Sequence, residues 1–289
     1  MLRPICALLL FAACAPAQRT AAGLLEVKTL AELERYDAGF DGVLGVAVID
    51  LESGRVMSLN GDTVFPQASV IKIPILAALY RGGLRLDDPV TVEPSEAVGG
   101  SGRLQHRLKS GPVTMTLREL ATLMIVDSDN TATNKCISLA GMDEINRMLA
   151  ESGFLHTRLQ RKMMDARAAA EGRENLSTPN EMARLVEHVY RARIVDAAAS
   201  REMLAIMRRV SGGIREGLPL DTDVACKTGQ IPGARGETGI VFLPGRPFVL
   251  SVMSAFIDDR RTPVPEVTRT VYRMFEKLSA SNPYGHRIR

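Results

Sequence analysis

The hydrophobic pattern changes its period twice along this chain of 289 residues, and that change constrains the fold more than any other feature. Two strand-like runs come first, several helical segments come next, and three strand-like runs and a helix close the chain. This order predicts an α+β fold, in which terminal helices cover an antiparallel sheet and an all-helical lobe is inserted between the two halves of that sheet. The predicted strands span residues 42–51, 55–60, 223–228, 238–243 and 247–257, and the predicted helices span 29–36, 69–80, 116–127, 130–140, 143–152, 179–191, 196–210 and 264–278.

The same order sets the expected domain boundaries. We expect one domain over residues 18–289, with a sheet lobe at about 24–62 and 213–282 and a helical lobe at about 63–212. A chain of this length is sufficient for one large domain of this kind. Residues 84–115 are predicted to be irregular, because glycines interrupt every periodic pattern there.

Residues 1–17 have the pattern of an export signal. Arg3 supplies the charged start, residues 5–13 form an apolar core, and residues 15–17 read Ala-Pro-Ala, a small-residue cleavage site. A second interpretation competes, because residues 11–14 resemble a lipobox that would leave Cys14 acylated. The sequence therefore predicts an exported protein, periplasmic or secreted, with membrane attachment only if Cys14 is lipidated.

The composition excludes several classes of function. The net charge is only +3, aromatic residues make up 4% and tryptophan is absent, so nothing indicates nucleic-acid binding. The four histidines lack the spacing of metal ligands, and we expect no metal, no cofactor and a monomer. Cys136 and Cys226 are predicted to be buried free thiols, since the sequence does not place them within bonding distance.

The first candidate for chemistry is Ser69, which has Lys72 three residues later at the start of an apolar run. On a helix these positions share a face, so the amine would lie beside the hydroxyl. A serine hydroxyl needs a neighbouring base before it attacks a carbonyl. Lysine can be that base when burial lowers its pKa, whereas arginine does not deprotonate in proteins. Ser-Xaa-Xaa-Lys alone is a weak pattern, and its meaning depends on the motifs downstream of it.

Two tripeptides lie downstream in order: Ser-Asp-Asn at residues 128–130 and Lys-Thr-Gly at residues 227–229. Each alone is common, as a helix cap or as a strand that enters a turn. All three motifs together resemble the penicillin-recognising serine hydrolases, and among them the class A β-lactamases. The resemblance covers nearly the whole chain after the signal and implies a β-lactamase/transpeptidase-like fold.

The resemblance also implies roles for single residues. Ser69 would attack the substrate carbonyl, Lys72 would take its proton directly or help a water-bound base to do so, and Ser128 would return a proton to the leaving nitrogen. The backbone N–H groups of Ser69 and Gln230 would form the oxyanion site. The implied substrate-binding residues are Asn130, Lys227, Thr228, Gly229 and Gln230.

The chain departs from the family pattern in one loop. Class A enzymes carry a glutamate there that activates water to release the acyl group. In this chain the loop spans residues 161–175, with Arg161 and Asn175 resembling the pair that closes its neck, and Met163 stands where the glutamate is expected. A thioether accepts no proton from water. Asp165 and Glu171 are the candidate replacement carboxylates, against the alternative that both are solvated surface charges.

A second departure comes after the Lys-Thr-Gly motif. The connection over residues 230–236 is predicted to be longer than usual in the family. The arginine that many class A enzymes carry on the next strand aligns with Thr238. The means of binding the substrate carboxylate is therefore open.

Three functions fit these observations. The first is an exported β-lactamase that hydrolyses a β-lactam amide through an acyl-serine intermediate. The second is a D-alanyl-D-alanine peptidase or an esterase on the same scaffold, acting on a peptidoglycan-like substrate. The third is a penicillin-binding sensor that is acylated and deacylates slowly; the absent loop glutamate favours the second and third.

Overall fold

A computed structural model describes residues 20–258 and 262–288 of the chain. The candidate export signal at residues 1–17 and Cys14 lie outside this range. The described strands are β1 (Val43–Asp50), β2 (Val56–Leu59), β3 (Phe65–Pro66), β4 (Pro89–Val92), β5 (Val113–Thr116), β6 (Leu176–Ser177), β7 (Val224–Ile231), β8 (Ala234–Val241) and β9 (Phe248–Ala255).

The described α-helices include the eight that the sequence predicts and three short ones that it does not predict. They are α1 (Ala21–Ala38), α2 (Lys72–Arg81), α3 (Leu104–Arg107), α4 (Leu117–Val126), α5 (Asn130–Ala140), α6 (Met142–Glu151), α7 (Ala166–Ala170), α8 (Pro179–Tyr190), α9 (Ala197–Met207), α10 (Gly213–Glu216) and α11 (Val264–Ser279). Helix α1 is longer than expected, and the three short helices are α3, α7 and α10. No helix within 20–258 or 262–288 is long and apolar enough to cross a bilayer.

Five strands form the main sheet, in the order β2-β1-β9-β8-β7, and all neighbours are antiparallel. The terminal helices α1 and α11 pack against each other, and α8 packs against β1 and β9. On α11 the buried side chains recur every three or four residues, which is the spacing of one helix face. The predicted α+β fold is thereby confirmed, with β7 left at the edge of the sheet.

The helical lobe is built around α2, whose residues from Lys72 to Leu79 are all buried. Helices α4, α5, α6, α8 and α9 pack around it. A helix that is apolar on every side is a core helix. The cation at its start, Lys72, is therefore held in an environment from which water is excluded.

The structure corrects several local predictions. The predicted helix from Ser69 begins instead as a 3₁₀ turn over Ala68–Ile71, and the α-helix starts at Lys72. Residues 84–115 are not wholly irregular, because β4 pairs with β5. The connection over residues 230–236 is not long: β7 continues to Ile231 and β8 begins at Ala234, so residues 232–233 make a tight hairpin. Thr116 caps α4 with Glu119, as its sequence predicts.

Candidate active site

The Lys72 amine lies at the centre of a hydrogen-bond network that joins the first two motifs. Its Nζ is 2.7 Å from the Ser128 carbonyl oxygen, 3.1 Å from Ser128 Oγ and 3.0 Å from Asn130 Oδ1. Lys72 is fully buried. Burial, together with the smaller effect of repulsion from Lys227, holds the pKa of Lys72 well below its ordinary value. A lysine in this setting loses its proton far more easily than one in water.

Lys227 approaches the same serine from the sheet. Its Nζ lies 3.2 Å from Ser128 Oγ and 2.8 Å from the Thr228 carbonyl oxygen. Burial lowers the pKa of Lys227 to about 8, while Cys226 and Glu237 act in the opposite direction. One hydroxyl thus lies between two buried amines that come from different lobes, Lys72 on α2 and Lys227 on β7.

Asp129 fixes the turn that presents Ser128 and Asn130. Its Oδ1 accepts the Ala132 N–H at 2.9 Å and caps α5, and its Oδ2 accepts the Leu104 N–H at 2.7 Å. Ser128 has φ of 51°, a left-handed conformation that costs a non-glycine residue about 1–3 kcal/mol. The cap offsets that cost, and it is the reason that the motif has an aspartate between its two functional residues.

Ser69 is held against the edge strand by a close backbone contact. A Cβ on Gly229 would lie 2.7 Å from the Gln67 carbonyl oxygen and 2.9 Å from the Ser69 nitrogen. Only a glycine at this position therefore lets β7 pack this closely against the backbone of residues 67–69. Ala68, directly before Ser69, has φ of 47°. This tight junction places Gly229 against the Ser69 backbone, and Ser69 and Gln230, the residues to which the resemblance assigns the oxyanion site, line the same two cavities.

Ser69 opens onto two cavities, each of about 350 Å³. The strand-side cavity also touches Ser128, Thr228, Gly229 and Gln230. The loop-side cavity touches Asn130, Met163 and Asp165 together with Gln230. The predicted residues Ser69, Ser128, Asn130, Thr228, Gly229 and Gln230 line these cavities, whereas Lys72 and Lys227 are buried behind them and contact Ser128 Oγ. The Lys72 amine bonds Ser128 and Asn130 and not Ser69 within the described residues, and free enzymes often tighten such contacts only with substrate.

The 161–175 loop presents Met163 to the core. Met163 is 7% exposed, its N–H donates to Asn134 Oδ1 at 2.7 Å, and its carbonyl accepts from Asn134 Nδ2 at 3.0 Å. The neck is closed as predicted: Asn175 Oδ1 accepts the Gln160 and Arg161 N–H groups at 2.8 and 3.1 Å. The loop is thus well anchored, and it carries the Met163 thioether at the position where the resemblance leads us to expect a glutamate.

The loop carboxylates are engaged elsewhere. Asp165 lines the loop-side cavity, but its Oδ1 caps α7 by accepting the Ala168 N–H at 2.9 Å. Glu171 is exposed and pairs with Arg167 and Arg173. Glu174 binds Arg161 through both of its oxygens. These contacts are those expected of structural and surface charges.

Thr238 takes no part in the cleft. It is fully buried, and its hydroxyl lies 2.8 Å from Ser251 Oγ. Arg235, which pairs with Gln230 across β7 and β8, lines the strand-side cavity. The predicted free thiols Cys136 and Cys226 are both buried, and burial raises the pKa of each thiol.

One buried acid of the cleft escaped the sequence analysis. Glu237 on β8 lines the strand-side cavity, is 2% exposed and accepts the N–H groups of Gly213 and Ile214 at 2.8 and 3.2 Å. A glutamate in a strand ordinarily indicates a solvent-facing position, so its sequence carries no signal of this contact.

Comparisons with known proteins agree with this geometry. A family model described as the β-lactamase enzyme family matches residues 27–275. The β-lactamase AST-1 of Nocardia asteroides is 32% identical over 92% of this chain and 91% of its own length.

Two solved structures are similar at the level of the fold. An ancestral class A β-lactamase (GNCA) has a TM-score of 0.77 and 30% identity over 87% of this chain and 100% of its own. A leucine-to-glutamate mutant of PBP-A, solved as an acyl-enzyme complex with penicillin G, has a TM-score of 0.78 and 30% identity over 88% of this chain and 97% of its own.

Proposed function

The chain belongs to the β-lactamase enzyme family, and from that premise we propose that it opens β-lactam amides by acylation of Ser69, with release of the acyl group as the slow step. The observation that carries the acylation step is the Ser128 hydroxyl, which lies within 3.2 Å of the amines of both Lys72 and Lys227. The observation that carries the slow release is Met163, which occupies the loop position where a base is required.

Acylation requires a base for the nucleophile. The neutral Lys72 amine takes the Ser69 proton as Oγ bonds to the β-lactam carbonyl carbon, and the backbone N–H groups of Ser69 and Gln230 stabilise the negative oxygen. Burial lowers the pKa of Lys72, which makes the neutral amine more accessible than it is for an exposed lysine. A base of this kind contributes about 10²–10⁴-fold to the rate.

The leaving nitrogen requires a proton when the carbon–nitrogen bond breaks. Ser128 supplies it from its hydroxyl and is reprotonated by the Lys72 ammonium formed in the first step, which restores the neutral amine. Lys227 remains charged and donates to Ser128 Oγ, which orients the hydroxyl and attracts the substrate carboxylate. Thr228 and Arg235 line the same cavity and add a hydroxyl and a second cation.

Hydrolysis of the acyl-serine requires a base for water. Met163 has no proton acceptor, and Asp165, Glu171 and Glu174 are engaged as a helix cap and as ion-pair partners of arginines. Deacylation therefore proceeds without a dedicated loop carboxylate. We expect turnover of β-lactams at a low rate that is limited by this step.

The test is turnover of a chromogenic cephalosporin measured from the first seconds. We expect a burst close to one equivalent, then slow steady turnover, and mass added at Ser69. Ser69→Ala should remove burst and adduct, whereas Ser110→Ala, an exposed serine away from the cleft, should remove neither. A Ser69→Ala protein that still acquires the adduct would contradict the proposal.

The loop also favours a second candidate, a D-alanyl-D-alanine peptidase. Such an enzyme needs the same acylation machinery. Its acyl group is then transferred to an amine, or to a water molecule that no loop glutamate activates. Release of D-alanine from a peptide ending in D-Ala-D-Ala, at a rate above β-lactam turnover, would favour this function.

Export is a separate proposal that rests on residues 1–17. Mass spectrometry of the protein from its native cells should find Gln18 as the first residue. A diacylated Cys14 would instead show a lipoprotein.

A further inference from the structure

We propose that Glu237 is a positioning residue that sets the shape of the substrate-carboxylate end of the cleft. It acts through residues 212–214, which form the wall opposite Thr228. This role rests on the proposed function, because it concerns binding of an anionic acylating substrate. The chemistry of the ligand is that of a small molecule with a carboxylate beside a reactive amide.

The register of the sheet places Glu237 at this wall. Glu237 pairs with Thr228 across β7 and β8, while Lys227 pairs with Thr238. Directly paired side chains share one face of a sheet, and neighbours in sequence alternate between faces. Lys227 thus points to Ser128, whereas Thr228 and Glu237 face the segment at 212–214.

The carboxylate binds this segment through its backbone. Glu237 Oε2 accepts the Gly213 N–H at 2.8 Å, and Oε1 accepts the Ile214 N–H at 3.2 Å. Burial raises the pKa of Glu237, and the two backbone N–H donors act in the opposite direction because they favour the charged carboxylate. A carboxylate that is 2% exposed stays in the fold only when its oxygens are satisfied in this way.

Gly212 shows how closely the wall and the strand approach each other. A Cβ on Gly212 would lie 2.5 Å from Glu237 Oε1 and 2.5 Å from Thr228 Cγ2. Its φ of −172° is extended backbone that any residue adopts, so the requirement for glycine is purely steric. Gly212, Gly213 and Glu237 line the same cavity as Ser69 and Thr228.

Removal of the Glu237 carboxylate would affect substrate binding in two ways. Loss of the two hydrogen bonds frees the wall and changes the width of the cavity at Thr228. Loss of the negative charge also removes a group that favours the charged form of Lys227. Both effects weaken initial binding of an anionic substrate, and the Glu237 carboxylate itself bonds the backbone of residues 213 and 214 rather than Ser69, Lys72 or Ser128.

The test measures acylation by a fluorescent penicillin over a range of concentrations, which separates the binding constant K from the acylation rate constant k2. In Glu237→Gln the amide nitrogen faces an N–H donor, and we expect K to rise about tenfold with k2 within about threefold of the unchanged protein. Gly212→Ala displaces the wall without a change of charge and should raise K in the same direction.

Asp50→Asn is the matched control. Asp50, the last residue of β1, is also buried, accepts the N–H groups of two successive residues, Glu52 and Ser53, and lines neither Ser69 cavity. We expect it to lower the melting temperature and leave K unchanged.

The outcomes separate the two proposals. A K in both Glu237→Gln and Gly212→Ala within twofold of the unchanged protein would overturn the role of Glu237 and leave acylation of Ser69 standing. A fall in k2 with an unchanged K in these two variants would also overturn the role of Glu237 and leave acylation of Ser69 standing. Failure of the unchanged protein to be labelled would overturn the proposed function and this role together.

Discussion

The two sides of Ser69 differ in how their charged groups are satisfied. On the strand side, two buried amines meet at one hydroxyl, and neither Lys72 nor Lys227 forms an ion pair within residues 20–258 and 262–288. On the loop side, Glu174 is paired with Arg161 and Asp165 caps α7. Uncompensated buried charge shifts pKa values and prepares groups for proton transfer. Paired and capped charge stabilises a loop and leaves no base available.

This contrast separates the two half-reactions. The cap at Asp129 and the close contact at Gly229 hold the segments that carry Ser128 and Ser69, to which we assign roles in acylation. The contacts on the loop side are those of a structural segment, with the Met163 backbone hydrogen-bonded to the Asn134 side chain. This difference is the structural basis of our proposal that acylation is the faster step and release of the acyl group the slower one.

The largest effect is expected from Lys72→Arg, which keeps the approximate length of the side chain but replaces an amine that can lose its proton by a guanidinium that cannot. We expect the acylation rate constant to fall about 10²–10⁴-fold, because arginine does not deprotonate. Stopped-flow labelling with a fluorescent penicillin measures it. Acylation that stays within a few-fold of the unchanged protein would assign the base to another group.

Met163→Glu tests the loop side by adding the missing base. We expect deacylation to rise at least about tenfold, since general bases contribute about 10²–10⁴-fold when well placed. Met163→Gln is the matched control, because it has the same shape without the proton acceptor. Decay of the acyl-enzyme mass measures both, and equal rates in the two variants would show that this position does not face the ester.

The pH dependence of binding tests the state of Lys227. Its lowered pKa of about 8 means that the ammonium, and with it the attraction for a substrate carboxylate, is lost as the pH rises through that value. We expect K for a penicillin to rise about tenfold between pH 7 and pH 9.5. Lys227→Arg should give a flat profile, and an equal slope in both proteins would place the titrating group elsewhere.

The smallest effect is expected from Asp165→Asn and Glu171→Gln. If both carboxylates are structural, each change should alter deacylation by less than about threefold. Asp165→Asn should also lower the melting temperature slightly, because the amide is as good a cap as the acid but loses the charge. A drop of tenfold or more in deacylation for either variant would identify it as the replacement base.

The fold and the strand side of the cleft were predictable for a physical reason. Strand and helix periods differ, so the order of elements is visible in the sequence, and Ser69, Lys72, Ser128 and Lys227 sit in motifs whose order is specific. The roles assigned to these four residues remain predictions until the variants are measured. The absence of a base at Met163 could also be read from the sequence, because the residue type alone shows that the side chain has no proton acceptor.

The remaining features depend on contacts that no local pattern encodes. Glu237 is buried only because the backbone of Gly213 and Ile214 crosses the sheet at its position. The 3₁₀ turn at Ser69 and the positive φ of Ala68 result from the approach of β7, which is distant in sequence. The hairpin after β7 was wrongly predicted as a long connection, since two residues of turn chemistry at 232–233 were taken for a loop.

The most direct measurement is the intact mass of the protein during steady turnover of penicillin G at saturating concentration. A cleft that acylates well and releases its product slowly predicts that most molecules carry one acyl group on Ser69. Product formation with a population of mostly free protein would contradict it, because the step after acylation would then be the faster of the two.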